Sequence, residues 1–462
     1  MDATLIGVFA YVLVQFAIGV WVSRWVKTNT DFIIAGRTLG LGLVSFSVYA
    51  TFFGAEAIVA TAGSVYAEGL PGSRIDPFGY AAAIVIAGLI FAVPLWRRGL
   101  VTFADFFRDR YSPVVEKLVV LVLLPGSMFW AAAQIRAFGQ VMSAASGTSV
   151  TTAIGVATVL VVAYGVLGGL LADAWTDLVQ GLSIVLGLIL LAIIAAGQLG
   201  GVAAALDQVE PERLQAVSLG EGGSLSFIES LAIPICGTVV AVELISRFLG
   251  ARTAGVAAGG AVIGAVMYLL VGLIPVFLGL LGPHLVPQLE NTEQVVPKLA
   301  EAYLPGLLYT TFAGAVISAI LSTVDSVLLA SAAQVAHNIL ETLIPSSGER
   351  GRLLLTRITV VALAIVAFAI ALRFERVKEL TELASAAGSA GVFVVTAFGL
   401  FTRFGGPLAA LATVAIGAGA WLVFGWVVQL SAPYLASLCL ALLTYIVTAT
   451  VEARRGAKPI TA

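Results

Sequence analysis

Charge is scarce in this chain. Of its 462 residues only 11% are Asp, Glu, Lys or Arg, where a soluble domain carries about 25%. A water-soluble globular protein is excluded on that ground. The 24 basic and 26 acidic residues leave a net charge of −2, so no global positive field exists for nucleic acid. Cysteine is nearly absent. Cys236 and Cys439 sit in apolar segments far apart in sequence, and each reads as a buried free thiol rather than part of a disulfide framework. There are only two histidines, His284 in a loop and His337 near the end of a long apolar run. No H-E-x-x-H, P-loop or G-x-S-x-G motif occurs, so an enzyme is not expected.

What is present is apolar. Hydrophobic residues make up 60% of the chain and the mean hydropathy is +1.05. A membrane crossing needs about 20 mostly apolar residues. About thirteen stretches meet that rule, so an all-α polytopic membrane protein in a lipid bilayer is expected. Their limits are Leu5–Trp25, Leu41–Tyr66, Phe78–Trp96, Val114–Ser143, Val150–Leu171, Ala174–Ala196, Phe227–Gly250 and Val256–Leu281, then Tyr303–Leu340, Leu353–Leu372, Leu380–Phe401, Leu408–Trp426 and Ala432–Thr450. The fourth and ninth exceed one crossing, so they tilt or project into water. No A-x-A cleavage site follows the first stretch, which is expected to remain as a span.

An odd number of spans puts the termini on opposite sides, and basic loops decide which. Arg24, Lys27 and Arg37 follow the first span, and Arg97, Arg98, Arg108 and Arg110 the third. Arg247 and Arg252 follow the seventh, Arg350, Arg352 and Arg357 the ninth, Arg403 the eleventh, and Arg454, Arg455 and Lys458 the last. Loops after odd spans are therefore expected in the cytoplasm, with the N-terminus outside and the C-terminus inside. The longer of the other loops agree, one carrying Asp207, Glu210, Glu212 and Glu221 and another Glu290, Glu293 and Glu301, while the short Arg373–Lys378 loop dissents.

Two spans are interrupted. The second contains FFGAEA, Phe52 to Ala57, with Gly54 followed by Glu56 at mid-membrane depth. The seventh contains IPICG, Ile233 to Gly237, where Pro234 removes a helix donor and Gly237 loosens the turn. Gly and Pro are also common in ordinary membrane helices. Broken helices at corresponding places in two halves point to an inverted-repeat transporter with its site at the breaks.

The ninth span carries SAILSTVDSVLLAS, Ser318 to Ser331. On a helix Ser322, Asp325 and Ser326 share one face, with Thr323 beside them. A single Ser in a membrane helix usually bonds back to its own carbonyl. A carboxylate at the helix centre costs about 2.5–3.5 kcal/mol on insertion scales, which asks for a compensating ligand. Small hard cations take oxygens from hydroxyls, carboxylates and freed carbonyls, and unwound backbone beside Gly54 would supply the last. The stretch therefore reads as part of a sodium site. A second polar signal is YGVLGGLLADAWTDLVQG, Tyr164 to Gly181, where Asp177 and Gln180 enter an apolar span after a tight Gly168–Gly169 turn. An interfacial position or a helix N-cap is the alternative reading of Asp177.

Three separated motifs carry a family resemblance: GRTLG (Gly36–Gly40), GGLLADAWTDLVQ (Gly168–Gln180) and ILSTVDSVLLAS (Ile320–Ser331). The chain resembles the sodium/solute symporter family over almost its whole length. MFWAAA (Met128–Ala133) and SRFLGARTAG (Ser246–Gly255) look most like its choline-transporter branch. The resemblance implies a five-plus-five inverted-repeat (LeuT-type) core built from spans two to eleven. Residues 1–38 would then be an extra span and loop, 39–198 the first repeat, 199–404 the second, and 405–462 two further spans and a tail. It also implies a sodium site made of the carbonyls of Ala50, Phe53 and Ala319 and the hydroxyls of Ser322 and Thr323. A second sodium would use Asp177 with Ser326 and Asp325, although Asp325 stands where a hydroxyl is often found. One sodium ion is expected, or two if that second site forms.

The solute pocket is less legible. Choline transporters of this family surround their cation with tryptophans, as cation–π attraction requires, but only Trp130 matches. Phe52 replaces the aromatic of the broken second span, and Ala241 stands where another Trp would be. Glu56, Arg136 and Glu243 lie at membrane depth. Arg136 suits a substrate carboxylate, or an internal pair with a Glu, or snorkelling outward. The candidate solute-binding set is thus Phe52, Glu56, Trp130, Arg136 and Glu243, for an amino acid, a carboxylate or a quaternary amine. Phe91, Trp96, Trp421 and Trp426 read as lipid-facing or interfacial.

The expected activity is uptake of a small organic solute with sodium at the plasma membrane. A proton-coupled version is the nearest rival, since Asp177 and Asp325 can carry protons. A membrane sensor is a further rival, against which stands the short run of about a dozen residues after the last span. No obligatory protein partner is evident.

Overall fold

The computed structural model of the chain describes residues 3–215, 223–344 and 348–454. Glu221, Arg455 and Lys458, counted above with the loops, lie outside the described residues. Among the described residues the chain is helical, apart from one isolated bridge between Leu39 and Ala251. Helices satisfy their backbone groups internally, and that is what a water-free slab demands.

Thirteen helical units follow the thirteen apolar stretches: α1 (Ala3–Ser23), α2 (Leu41–Phe52 and Glu56–Glu68), α3 (Leu70–Arg97), α4 (Pro113–Ser143), α5 (Val150–Ala163), α6 (Gly169–Gln198) and α7 (Gly223–Val239 and Val242–Gly250). Then come α8 (Ala254–Leu285), α9 (Gly306–Leu343), α10 (Gly348–Ala371), α11 (Val377–Phe401), α12 (Pro407–Val427) and α13 (Pro433–Arg454). Nine of these, among the described residues, are long and apolar enough to cross a membrane alone, and the bent pairs α2 and α7 bring the number to 11. The described parts of α1 and α5 are apolar but shorter.

Both expected breaks exist, one of them displaced. In α2 the helix stops at Phe52 and resumes at Glu56 with a 57° bend. The freed N–H of Ala55 donates to Gln134 Oε1 of α4 at 2.7 Å. Gly54 is required there, because a Cβ would come within 2.5 Å of Gln134 and 2.9 Å of Thr323. In α7 the helix runs through Pro234 and Gly237 and bends by 42° only at Val240–Ala241. The expectation of a break at Pro234–Gly237 is therefore corrected. A proline deletes one helical bond, which a neighbouring turn tolerates, whereas Ala241 is extended (ψ 121°). The turn between α5 and α6 lies at Gly169 (φ 59°, ψ −174°), earlier than the limits Leu171 and Ala174. A side chain there would meet the Phe32 carbonyl at 2.6 Å.

The loops sort to two ends. At one end Asn29 N–H donates to Glu349, Arg37 to the Leu100 carbonyl, Trp96 to the Ala251 carbonyl and Arg110 to the carbonyls of Thr402 and Gly405. These contacts join the loops after α1, α3, α7, α9 and α11. At the other end Arg213 donates to the carbonyls of Val65 and Tyr66, Tyr66 to the Val286 carbonyl, and Lys378 meets Glu68 at 3.5 Å. Odd and even loops thus separate. Arg247 is a correction to the loop count: it is fully buried inside the bundle. Phe91 is likewise no lipid-facing ring, being buried against Phe393 and Phe401.

The helix α9 is the central post, with every residue from Phe312 to Gln334 buried. Its odd-loop end is tied to the segment between α3 and α4. There Thr102 and Asp105 cap the short helix Phe103–Arg110, and Asn338 of α9 donates to Asp105 at 2.9 Å and to Glu116 at 2.6 Å. Burial pushes the Asp105 carboxyl up, but bonds from His337 and the Thr102 backbone, with Arg108 beside it, hold it down at about 2. A depressed carboxyl stabilises the fold above its unfolded pKa and loses that contribution as pH falls toward the folded value. Asp105→Asn is expected to lower the detergent-solubilised Tm at neutral pH by the equivalent of about 2 kcal/mol. The gap to wild type should close between about pH 4 and about pH 2. A constant gap across that range would show that the charge contributes nothing.

Candidate functional site

The break in α2 lies directly against the polar stretch of α9. Thr323 Oγ1 lies 3.3 Å from the Ala50 carbonyl and 3.1 Å from that of Ala319. Phe53 stands at the break with ψ 59°, outside helical geometry. Ser322, one residue before Thr323, donates to Asp177 of α6. Two backbone carbonyls, two hydroxyls and a neighbouring carboxyl make an all-oxygen donor set, the kind that suits a small hard cation such as sodium.

Beside it lies a denser cluster. Asp177 Oδ2 accepts from Ser47 at 2.7 Å, and Ser326 donates to Asp173 at 2.7 Å. Arg247 donates to Asp173, to Ser326 at 2.6 Å and to Ser47 at 3.2 Å, and lies 3.8 Å from Asp177. Asp325 belongs to the same charge cluster, and its buried Oδ1 has no hydrogen-bond partner. Gln180 donates to Ser318 at 2.8 Å. Asp177, Asp325, Ser322 and Ser326 are thus brought together. Asp177 is fully buried, which removes the interfacial reading. Asp173, Arg247 and Ser47 were missed. Asp173 is detectable as an acid one turn before Asp177, on the same helix face. Arg247 is detectable as a cation four residues after Glu243 in an apolar run, where burial without a partner is prohibitive.

Two cavities adjoin the breaks. The smaller, about 50 Å³, is lined by Phe52, Trp130, Thr238, Ala241, Glu243 and Tyr80 among others. The rings of Phe52, Tyr80 and Trp130 pack against one another with centroids 6.0–6.3 Å apart. The Trp130 N–H and the Thr238 hydroxyl are buried without partners. Tyr80, which donates to or accepts from Ser385 at 2.8 Å, was not anticipated. The larger cavity, about 280 Å³, shares Tyr80 and Ser385 with the first and is lined by Glu56, Asp76, Glu229, Glu382, Arg74 and Lys378 among others. It reaches the exposed side chains of Glu68 and Lys378, so it belongs to the even-loop end. Glu56 therefore lines this second cavity rather than the aromatic one. Arg136 lines neither: it is half-buried and donates to the Glu375 carbonyl at 3.3 Å. The expectation that Arg136 joins Phe52 and Trp130 at one cavity is not met, because its long stem carries the guanidinium to the α10–α11 loop.

Comparison with known proteins follows the same direction. The profile described as "Sodium:solute symporter family" matches residues 32–417. A high-affinity choline transporter of Drosophila melanogaster is 25% identical over 406 residues, covering 83% of this chain and 64% of that protein. The chain thus spans less than two thirds of that relative's length. The sodium/proline symporter of Escherichia coli (strain K12) is 25% identical over 443 residues, 91% of this chain and 88% of that one. Among solved structures, a sodium-coupled sialic acid symporter in a substrate-bound outward-open state superposes with a TM-score of 0.85 at 15% identity, covering 99% of both chains. A nucleobase-cation-symport-1 family transporter in a closed conformation gives 0.64 at 15%, covering 93% and 96%. At that identity the two structures show the fold alone.

The Asp173–Arg247 pair is the part of the cluster whose energetics are most open to test. Removing one member of a buried pair strands the other and costs about 3–5 kcal/mol. Arg247→Met alone is expected to destabilise strongly in detergent thermal unfolding. The double variant Arg247→Met with Asp173→Leu should recover most of the loss, since apolar replacement of a whole pair is often neutral. Equal losses in the single and double variants would mean that the two side chains are not coupled.

Proposed function

The chain belongs to the sodium:solute symporter family, and we propose that it carries a small organic solute across the plasma membrane together with sodium by alternating access. It is a multi-pass membrane protein with transporters for relatives, and no catalytic role is assigned to it. The observation that carries the proposal is the meeting of Ala50, Ala319, Ser322 and Thr323 at the break in α2. Ala50, Phe53 and Ala319 would offer carbonyls to the ion, and Ser322 and Thr323 hydroxyls. Residues 39–198 and 199–404 would be the two inverted repeats, which agrees with breaks in the first helix of each, α2 and α7. The basic end of the bundle would face the cytoplasm, leaving the N-terminus outside and the cavity of Glu56 and Asp76 open to the exterior.

The solute would bind beside Phe52, Tyr80 and Trp130, with Glu243 at the edge of the aromatic cavity. With Arg136 turned toward Glu375, the wall offers no cation there for a substrate carboxylate. Aromatic faces and carboxyls together favour a cationic solute, in keeping with the choline transporters among the relatives. The proline symporter is a reminder that amino acids stay within the family's reach.

A second cation is proposed at Asp177, Asp325 and Ser326. Arg247 closes one charge pair with Asp173, which leaves Asp177 and Asp325 to be neutralised by sodium or by a proton. The unpartnered Asp325 oxygen supports either.

Two outcomes are expected. Ser322→Ala combined with Thr323→Ala should raise the sodium concentration for half-maximal uptake in proteoliposomes by an order of magnitude or more, since each bond to a charged group is worth about 1.5–3 kcal/mol. Unchanged sodium dependence would put the ion elsewhere. For the second cation, reversal-potential measurements should give two sodium ions per solute in wild type, falling toward one in Asp325→Asn. One sodium in wild type, with uptake falling as pH rises, would favour the proton instead.

A further inference from the structure

In the larger cavity two carboxyl groups stand out by what they lack. Glu56 is the first residue of α2 after its break, and Asp76 lies on an extended turn (φ −130°, ψ 124°) inside the first part of α3. Both are more than nine-tenths buried, 6% and 4% exposed. Asp76 Oδ1 accepts from Tyr268 at 2.8 Å, but no hydrogen bond of ordinary geometry reaches Oδ2 or Glu56 Oε2, although the Thr61 hydroxyl lies near Asp76 and the Thr381 and Tyr80 hydroxyls near Glu56. An ionised carboxylate oxygen can accept a hydrogen bond but not donate one, and leaving it unpaired in a buried place costs free energy.

Three of the other charges of the wall have partners. Glu229 accepts the backbone N–H groups of Tyr434 and Leu435 at 2.7 and 2.8 Å. Glu68 meets Lys378 at 3.5 Å. That leaves Glu56, Asp76 and Glu382 facing a cavity to which Arg74 contributes a guanidinium, itself 5.9 Å over the Phe227 ring. The excess is acidic, and the unmet need is for N–H donors.

We propose that Glu56 and Asp76 bind the protonated amino group of the solute, which therefore carries N–H on its cationic nitrogen and is not a quaternary ammonium. A primary ammonium offers three donors in a compact head, enough to serve Glu56 Oε2 and Asp76 Oδ2 together. A quaternary nitrogen offers none, and asks instead for open aromatic faces. In this chain the three rings pack on one another around about 50 Å³, far below the ~300–1,000 Å³ of usual ligand pockets. The cavity of Glu56 and Asp76, about 280 Å³, is close to that range. Tyr80 lines both and connects the head group to an apolar body lying toward Phe52 and Trp130. The assignment rests on the symporter reading and narrows its solute.

The test uses the full-length purified protein in detergent with sodium, and a series on one skeleton: ethanolamine, its N-methyl and N,N-dimethyl derivatives, and choline. Affinity is read by thermal shift and by competition for uptake in proteoliposomes. Binding is expected to weaken by tenfold or more from the primary amine to choline. Glu56→Gln and Asp76→Asn should each remove that preference while keeping the stabilisation that sodium gives in the absence of solute, which also shows that the variants are folded. Choline binding as tightly as ethanolamine in wild type overturns the proposal, as does an N–H preference that survives in both variants. Binding of no member of the series overturns it too. Loss of the sodium effect in either variant would reassign the carboxyls to a cation of the transport cycle. Amine binding that is indifferent to sodium would defeat the symporter reading instead, and a sodium-dependent preference for choline would defeat only this assignment.

Discussion

The centre of the molecule depends on one close approach, that of the broken second helix to the polar face of α9. A straight α2 would keep its carbonyls for itself. Because Gly54 has no side chain, Gln134 and Thr323 can come up against the backbone at the break. Gln134 then takes the N–H that the break releases, and Thr323 bridges the carbonyls of Ala50 and Ala319. The Ala55 N–H and the Ala50 carbonyl are each met by a side chain from a neighbour, so irregular backbone survives where lipid cannot reach it. The cost of burying Thr323 in α9 is offset by the same arrangement, while Ser322 and Ser326 are met by Asp177 and Asp173 of α6.

The polar core beside this approach follows the arithmetic of charge in a low dielectric. Three carboxyls, Asp173, Asp177 and Asp325, come together with one guanidinium. Arg247 is suited to the role because its planar fork serves Asp173, Ser326 and Ser47 at once. Ser322 and Ser47 hold the two oxygens of Asp177, so that carboxyl is oriented before any cation arrives. Such preorganisation lowers the ordering cost of binding an ion, and it ties the proposed sodium site to the acid cluster through a single residue pair, Ser322 and Asp177.

Much of this was legible in the sequence because membrane helices follow a simple length rule. The thirteen apolar stretches, the FFGAEA break and the Ser322–Ser326 face each carry a local signal. What was lost needed three dimensions. Pro234 and Gly237 look like a break, yet the bend falls at Val240–Ala241, because one missing donor does not end a helix that its neighbours support. Arg247 follows an apolar stretch and so counts as a loop cation by position, but its partner Asp173 lies 74 residues away. Arg136 sits at the right depth for a pocket, but its guanidinium reaches the Glu375 carbonyl instead. Tyr80 joined the aromatic cluster from α3, whose sequence there, YAAAIVI, offers no hint of a site.

The two ends of the bundle are tied together by different chemistry. At the even-loop end Glu293, buried although it sits in a loop, accepts from Gln140 at 2.9 Å and from the backbone N–H of Val377 at 3.1 Å. Its carboxylate thereby caps the first turn of α11, where a negative charge is favoured by the helix dipole. Gly63 of α2 packs against the backbone of the same residue, with no room for a Cβ. This one residue so joins α2 through its backbone and α4 and α11 through its side chain, three of the helices that line the cavities. At the odd-loop end the tie is a network of side chains, Asn338 donating to Asp105 and Glu116 while Thr102 donates to Asn338. Opening either end breaks charge-assisted bonds worth more than neutral ones, and water must enter to replace them. Alternating access of the proposed kind then needs the bonds at one end to be exchanged for water while those at the other remain. The two ties share α4, through Gln140 at one end and Glu116 at the other, but they share no side chain, so the bonds of one can be exchanged while those of the other remain.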